Sequence, residues 1–268
     1  MKRGGRGAFV PIFAAVVCFA IVVIALPLTQ GYPSLFHWLG DRIIQEKSPP
    51  RFDRAALRAD LATAEFSLGD AAHVRIFKRE RRLEVWLRRA DGRYAMFRDY
   101  DICRYSGELG PKLKEGDRQA PEGFYRVSRA QLNPKSRHHL SFNLGFPNAF
   151  DRQHGRTGSA LMVHGGCTSV GCYAITDESV DEVYAMVEAA LAGGQDAVDV
   201  HVFPFRLTAG ALAAEGGHNW LGFWRNLKVG HDLFERDRVP PRVAAYRGQY
   251  RFGSDAEGAE CDAIAAWS

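Results

Sequence analysis

Cysteine is scarce in this sequence, which has five among its 268 residues. Two of them, Cys167 and Cys172, lie five positions apart, and no second pair of this kind occurs. Zinc fingers and zinc ribbons use two such clusters to complete four ligands. The sequence therefore favours neither a metal site nor a metal cofactor.

Acidic residues are absent before Asp41. Lys2, Arg3 and Arg6 stand at the start of this region, and residues 8–28 are almost wholly apolar. A run of about 20 apolar residues can span a bilayer, and it is also compatible with a long signal peptide. Because no clear A-x-A cleavage site follows, a signal anchor is favoured over a cleaved signal. The basic head is then expected in the cytoplasm and the rest of the chain on the exported side.

Signatures of nucleic-acid binding, internal repeats and low-complexity tracts are absent as well. The formal net charge of +4 falls to +1 when the three basic residues of the N-terminus are subtracted, so no nucleic-acid partner is indicated. With 46% hydrophobic and 25% charged residues, the composition is that of an ordinary globular chain. The length suits one domain with extensions.

What the sequence does contain is a histidine, a glycine-rich turn and a cysteine between Leu161 and Thr176. His164 ends a short apolar run, and Cys172 follows Gly171 eight positions later. An imidazole can take the proton of a thiol, and backbone N–H groups around Gly171 and Cys172 can face a developing oxyanion. An imidazolium or a helix N-terminus nearby would lower the thiol pKa from about 8.5 into roughly the 3.5–7.5 range. The pattern is compatible with a cysteine nucleophile, a Cys167–Cys172 disulfide or two packing cysteines, and the resemblance described next favours the nucleophile.

These residues resemble the L,D-transpeptidase catalytic domain family (YkuD-type), and most closely its YafK-like branch. The family's core pattern is a histidine after a strand followed by S/T-x-G-C, here His164 and Ser169 to Cys172. Four flanking blocks match in order: G-P-K-L-K-E-G-D from Gly110, P-E-G-F-Y from Pro121, S-F-N-L-G-F-P-N from Ser141 and D-R-Q-H-G-R-T-G from Asp151. The resemblance covers roughly residues 70 to 205.

The resemblance implies roles for single residues. Cys172 would be the acyl-accepting nucleophile and His164 the base. Gly171 would help to build the oxyanion hole, and Ser169 would be a supporting polar residue. The sequence departs from the better-known branch in two ways: the interval between histidine and cysteine is shorter, and the arginine two positions after the cysteine is Ala174.

The segment from Gly145 to Gly158 is polar, and we expect a loop that contributes to binding. Arg152 and Arg156 are suited to pair with a substrate carboxylate in a bidentate way. His154 is a rival to His164 as base, but a histidine at the end of an apolar strand is held more rigidly. The candidate substrate-binding residues are Arg152, Arg156, Asn148 and Tyr173.

The predicted fold class is mostly β (α+β), a β-sandwich or barrel-like catalytic domain with packed helices, behind the N-terminal membrane or signal segment. Apolar residues with a period of two predict strands between residues 74 and 97, with a hairpin at Asp91-Gly92. Helical spacing predicts helices over 53–66, 177–191, 209–215 and 218–233. The predicted domains are residues 1–30 as signal anchor or signal peptide, 31–69 as linker with short helices, 70–206 as catalytic domain and 207–268 as helical extension.

Three weaker patterns have simple structural interpretations. The basic run from Lys78 to Arg82 is predicted to be a solvated turn between strands. Residues from Pro240 onward are predicted to form a tail of low regularity. Cys103 is expected to be a small buried hydrophobe, although it could pair with Cys261 in an oxidising compartment. The sequence alone leaves the pairing of Cys103, Cys167 and Cys261 open.

The resemblance further implies a peptidoglycan stem peptide as the donor substrate, with no cofactor. Cleavage of its L,D bond would leave a thioester on Cys172. An amine acceptor would then give a crosslink or an attached protein, whereas water would give hydrolysis, for example release of a wall-linked envelope protein. A non-catalytic wall-binding module is the third alternative. The implied location is the bacterial cell envelope, anchored in the inner membrane or secreted, with the catalytic domain periplasmic.

Overall fold

The computed structural model describes residues 52–267. The predicted N-terminal membrane or signal segment lies outside these residues. Across the part that is described, no helix has the combined length and apolar character that a membrane crossing demands.

The largest sheet follows the period-two segments of the sequence. Its strand order is β3-β2-β1-β10-β5, and β1 and β10 are parallel whereas the other neighbours are antiparallel. The strands are β1 (Ala72–Phe77), β2 (Arg82–Arg88), β3 (Tyr94–Asp101), β5 (Gly123–Val127) and β10 (Val198–Phe203). The predicted hairpin at Asp91-Gly92 connects β2 to β3, and Gly92 takes the positive φ of 84° that this turn requires.

A second sheet carries the motif of interest. Its order is β4-β9-β8-β7-β6, with strands β4 (Arg104–Tyr105), β6 (Leu132–Ser136), β7 (His139–Asn143), β8 (Met162–His164) and β9 (Tyr173–Ala174). Strands β8 and β9 are parallel, although only residues 165–172 connect them. That short connection must therefore cross over the sheet, and it contains the glycine-rich turn.

Within residues 52–267, five α-helices accompany the sheets: α1 (Arg54–Thr63), α2 (Ala149–Gln153), α3 (Asp177–Ala192), α4 (Ala209–Ala214) and α5 (Leu221–Asp237). Thr176 caps α3 by accepting from Ser179 N. Helix α1 buries Leu57 and Leu61 in the main core, so it packs on the domain. Helix α2 lies within the segment that was predicted to be a loop, because Asn148 and Asp151 form a capping box that starts it.

Two hydrophobic cores result. The larger lies around α3, whose valines contact the apolar faces of both five-stranded sheets, for example Val74 on one and Val163 on the other. The smaller is aromatic and lies where α5 packs, with Phe124, Phe203 and Trp224 at its centre. The mostly β, α+β class is therefore confirmed.

The predicted irregular tail after Pro240 is wrong. A third sheet of order β12-β11-β13 forms there, from β11 (Val243–Tyr246), β12 (Gln249–Phe252) and β13 (Asp262–Ala263). Arg247 and Gly248, both with positive φ, make the turn of the first hairpin. Strands of two to four residues are too short to show a period of two in the sequence.

The prediction that Lys78 lies in a solvated turn is also wrong. Its side chain is 0% exposed, as is that of Glu122, and the two groups are 3.0 Å apart. The ammonium also donates to the carbonyls of Glu108, Gly110 and Ala120. These bonds satisfy the buried charge and fix both ends of the 110–123 loop, which lies beside the motif.

Candidate active site

Strands β8 and β9 bring the candidate base and nucleophile together. The register pairs His164 with Ala174, two residues beyond Cys172. In the preceding pair, Val163 and Tyr173 are directed into the core. Because strand side chains alternate between faces, His164 leaves the opposite face of the sheet, where residues 165–171 cross over it.

His164 is oriented by its own neighbour along the chain. Its Nδ1 lies 2.6 Å from the Gly165 carbonyl oxygen. A carbonyl can only accept, so Nδ1 carries the proton and Nε2 keeps the lone pair of a base. The histidine is 1% exposed, and burial lowers its pKa, as does the nearby His138, against the opposing effect of the Gly165 carbonyl. The imidazole is therefore neutral at pH 7.

Cys172 differs from the expectation of an activated thiolate. It is 8% exposed, and burial raises the pKa of its thiol, with smaller opposing effects from the Met162 N–H and the Lys112 charge. The sulfur lies 3.5 Å from the Ala160 carbonyl and 3.4 Å from Met162 N, so the thiol donates to Ala160 and not to His164. Helix α3 begins only at Asp177, which leaves the thiol away from the helix N-terminus. The resting pair is a thiol beside a neutral imidazole.

Ser169 and Gly171 shape the turn before the cysteine. The Ser169 hydroxyl donates to the Cys172 carbonyl at 2.7 Å and accepts from Cys172 N at 3.0 Å. Gly171 N donates to the Ser106 hydroxyl, and Gly171 has a φ of 97° that disfavours other residues. Both N–H groups that were expected to face an oxyanion are thus bonded to serine hydroxyls. Use of either donor in a reaction requires its serine to release it.

A disulfide between Cys103 and Cys167 closes the short connection over the sheet, with the two Cα atoms 5.4 Å apart. This overturns the prediction of Cys103 as a packing residue, and the structure contains neither the Cys103–Cys261 nor the Cys167–Cys172 pair. The reason is tertiary: β4 pairs with β9, which brings the residue before β4 next to the connection that follows β8. Cys172 and Cys261 remain free thiols, so Cys172 is the free thiol of the motif.

Two candidate substrate-binding residues have interior roles. Asn148 is 4% exposed, caps α2 and donates its amide to the Phe124 carbonyl and the Tyr250 hydroxyl. Tyr173 is fully buried, and its hydroxyl donates to the Pro121 carbonyl. These contacts leave neither side chain available to a substrate, so both predictions fail for the same reason, burial.

The two arginines of the 145–158 segment differ in how far they are buried. Arg156 is 6% exposed, and its guanidinium pairs with Asp151 at 2.7 Å, which removes it as a free carboxylate binder. Arg152 is exposed and donates to the Pro147 carbonyl at 2.6 Å. His154, the rival base, is bonded through Nε2 to the Gly248 carbonyl of the β11–β12 turn at 2.9 Å.

Sequence reasoning missed Arg104 and His138. Arg104 on β4 is paired with Ala174, so the two side chains share a face of the sheet. It is exposed and makes no ion pair with any residue in the 52–267 range. The His138 ring, in the β6–β7 turn, lies 4.5 Å from that of His164. The pairing of β4 with β9 places Arg104 near the motif, and the position of the β6–β7 turn places His138 there. Neither is evident from the sequence.

The comparisons with known proteins identify the family of this chain. The family model described as YkuD, the L,D-transpeptidase catalytic domain, matches residues 72–202. YafK of Escherichia coli strain K12, assigned by name to the L,D-transpeptidases, is 45% identical over 183 residues, which cover 68% of this chain and 74% of YafK. YafK of E. coli O157:H7 matches equally.

The chain is also similar to solved structures of the helical cell shape determining protein Pgp2 from Campylobacter jejuni. For a point mutant of Pgp2 the identity is 20% and the TM-score 0.42, over 62% of this chain and only 56% of that one. For the unmutated protein they are 17% and 0.40, over 70% and 80% of the two chains. The match to YafK over most of both sequences and the match of the domain model decide the family. This chain belongs to the YkuD family of L,D-transpeptidase catalytic domains.

Proposed function

We propose that the chain is a peptidoglycan L,D-transpeptidase that works through a thioester on Cys172. The observation that carries the proposal is the fixed tautomer of His164, whose Nδ1–H donates to the Gly165 carbonyl. His164 ends β8, which pairs with the strand β9 that directly follows Cys172. That arrangement leaves Nε2 as a base of defined direction. Family membership supplies the reaction class, and a peptidoglycan stem peptide is the proposed donor.

The resting charges define the first step. Because the thiol is protonated and the imidazole neutral, Cys172 must rotate from the Ala160 carbonyl toward His164 as substrate enters. Nε2 then takes the thiol proton while the sulfur attacks the carbonyl carbon on the L-centre of the stem peptide. The C–N bond to the D-residue breaks, and His164 returns the proton to the leaving amine. A thioester of Cys172 remains.

The second step depends on the acceptor. An amine attacks the thioester, a C–N bond forms, the C–S bond breaks and the proton passes through His164 to the thiolate. Water in place of the amine gives hydrolysis, so a wall-linked protein could be released by the same acyl-enzyme. The better-known branch of the family has an arginine at the position of Ala174, which is fully buried here.

Arg104 is our candidate for the missing cationic contact, since it shares a face of the sheet with Ala174. Arg104→Ala should raise KM for a donor peptide with a free carboxylate about tenfold and leave kcat nearly unchanged, because hydrogen bonds to a charged group contribute about 1.5–3 kcal/mol. Steady-state kinetics give both values. The same KM for both proteins would remove Arg104 from the substrate site.

The test of the reaction uses the full chain in detergent with tetrapeptide muropeptides and an isotope-labelled amine. Mass spectrometry of the products distinguishes incorporation of the amine from hydrolysis. Cys172→Ala should abolish both, whereas Cys261→Ala, the matched change at the other free thiol of residues 52–267, should retain both. Turnover by Cys172→Ala would refute the mechanism. A wild-type protein that forms neither product nor thioester would favour a non-catalytic wall-binding module.

The proposed location is the cell envelope, with the catalytic domain on the periplasmic side of the inner membrane. The basic head and the apolar run of residues 8–28 support it. A reporter fused after Leu39 should be active only when exported, and activity confined to the cytoplasm would contradict this topology.

A further inference from the structure

A cleft of about 360 Å³ lies between α2, the start of α5 and the β11–β12 turn. Its walls include three aromatic residues, Phe150, Trp220 and Phe223. Its volume is at the lower end of the range for small-ligand sites, roughly 300–1,000 Å³. None of the residues assigned to the reaction above lines it.

The aromatic wall is ordered by stacking. Phe150 and Phe223 are nearly parallel, with an interplanar angle of 21° and ring centroids 5.5 Å apart. Phe223 and Trp220 are only half-buried, so part of each ring faces solvent. Flat, partly exposed rings of this kind suit the C–H faces of a sugar, since those faces are apolar and broad.

Arg156 supplies a buried donor in the same cleft. It is 6% exposed and lines the wall, and its Nε has no hydrogen-bond partner within residues 52–267. A buried donor without a partner costs about 1–3 kcal/mol, a cost that a ligand acceptor would remove. The guanidinium lies over both Phe150 and Phe223, with its carbon 5.0 and 5.1 Å from the ring centroids.

The charge balance selects the kind of ligand. Asp151, fully buried, pairs with Arg156 at 2.7 Å, so the donor brings little net positive charge to the cleft. The other polar side chains on the wall include the imidazole of His154 and the amide of Asn219. A neutral ligand with several acceptors is therefore favoured over an anion.

The cleft is close to the thiol along one segment of chain. Arg156 on its wall is four residues from Ala160, whose carbonyl accepts from Cys172. Four residues span at most about 14 Å. Trp220 is also in contact with the 110–123 loop, since a Cβ on Gly110 would lie 2.6 Å from its indole ring.

We infer that this cleft binds an N-acetylated hexosamine of the glycan strand to which the donor stem peptide is attached. The inference rests on the proposed function, because it assigns a second part of the same substrate. The sugar face packs on Phe223 and Trp220, and an acceptor oxygen of the ligand receives the Arg156 Nε–H. Binding there would hold the stem peptide near Cys172.

The chain offers a matched pair of blocking variants. Gly222 lines the cleft as the second residue of α5, and a Cβ there would have no atom within 4 Å. Gly210 is the second residue of α4, with equally open surroundings. Gly222→Gln should fill the cleft without strain, and Gly210→Gln should introduce the same side chain on another helix.

The experiment measures binding and turnover with the full chain. Chitotetraose, a neutral N-acetylglucosamine oligomer, should bind to wild type and Gly210→Gln with equal Kd by calorimetry, and at least tenfold more weakly to Gly222→Gln. The kcat/KM of wild type should be at least tenfold higher for a disaccharide-linked stem peptide than for the free peptide. Gly222→Gln should lose that preference while it keeps the wild-type rate on the free peptide and the wild-type Tm.

The outcomes separate the two proposals. Two results would overturn the glycan assignment and leave the proposed function intact. One is turnover of the free peptide with no preference for the disaccharide-linked peptide, and the other is chitotetraose binding that Gly222→Gln does not change. No turnover of either substrate overturns the proposed function, and the binding measurement then judges the cleft alone. Binding of chitotetraose that is lost equally in both variants would also overturn the assignment.

Discussion

At the scale of single residues, burial determines the chemistry of the site. It keeps the pKa of His164 below its ordinary value and that of Cys172 above it, so the resting pair carries no charge. The proposed mechanism then depends on a proton transfer coupled to attack, for which the position of Nε2 matters more than the acidity of the thiol.

His164→Ala should lower kcat by about 10²–10⁴, the usual effect of losing a positioned general base. His154→Ala is the control, since His154 is exposed and bonded to the β11–β12 turn, and it should lose far less. Rates from muropeptide turnover decide the matter. A larger loss in His154→Ala would exchange the roles of the two histidines.

The raised thiol pKa predicts how Cys172 reacts with iodoacetamide. Below the pKa the thiolate fraction rises tenfold per pH unit, so the alkylation rate should still be increasing above pH 8. The measurement uses the double variant Cys18→Ser/Cys261→Ser, in which Cys172 is the remaining thiol because Cys103 and Cys167 are paired. A rate that is already constant at neutral pH would show a stabilised thiolate and contradict the neutral pair.

At the scale of elements, the 110–123 loop joins the site to the rest of the molecule. The buried Lys78–Glu122 pair fixes its ends, and Trp224 of α5 donates to the same carboxylate at 2.9 Å. Tyr173, next to Cys172, donates its hydroxyl to the Pro121 carbonyl of this loop. The site therefore depends on a charge that the sequence presents as part of a basic surface run.

Lys78→Met should lower the free energy of unfolding by about 3–5 kcal/mol, because it leaves the Glu122 carboxylate buried without its partner. The adjacent Arg79→Met removes a partly exposed pair with Glu215 and should change the free energy of unfolding by about 1 kcal/mol or less. Urea denaturation measures both. The double variant Lys78→Met/Glu122→Gln should recover part of the loss, and equal losses in the two single variants would contradict the burial of the pair.

At the scale of the whole molecule, a layer of histidines lies between the largest sheet and α5. Burial lowers the pKa of His73 to about 3 and that of His201 well below its ordinary value, and that of His231 is lowered too. The folded protein holds these groups neutral, whereas the unfolded chain protonates them below about pH 6.5. Stability is thus complete above pH 6.5 and is lost as the pH falls, at about 1.4 kcal/mol per pH unit for each of His73 and His201.

His201→Phe should reduce that slope by about 1.4 kcal/mol per pH unit between pH 6 and pH 5, since it removes one of the titrations. The ring is retained among Phe124, Phe203 and His73, and Nδ1, which has no partner among the described residues, disappears. Denaturation at a series of pH values measures the slope. Above pH 7 the two proteins should have parallel curves, and an unchanged slope in acid would contradict the burial of a neutral His201.

The features that could be predicted from the sequence are those that depend on residues close to one another along the chain. The period of two predicts the strands β1 to β3, helical spacing predicts α3 and α5, and the Ser169–Cys172 motif with His164 predicts the site and its family. Such patterns depend on neighbours along the chain, so they can be read without knowing which strands pair.

Which elements pair and pack with one another depends on the tertiary structure. The pairing of β4 with β9 chose Cys103 as the partner of Cys167 and set Arg104 beside Ala174. The packing of α5 and the 110–123 loop buried Lys78, and that of α2 tied Arg156 to Asp151. A residue's exposure and its pKa depend on groups that are distant in sequence, and for that reason the raised pKa of the Cys172 thiol cannot be predicted from the motif alone.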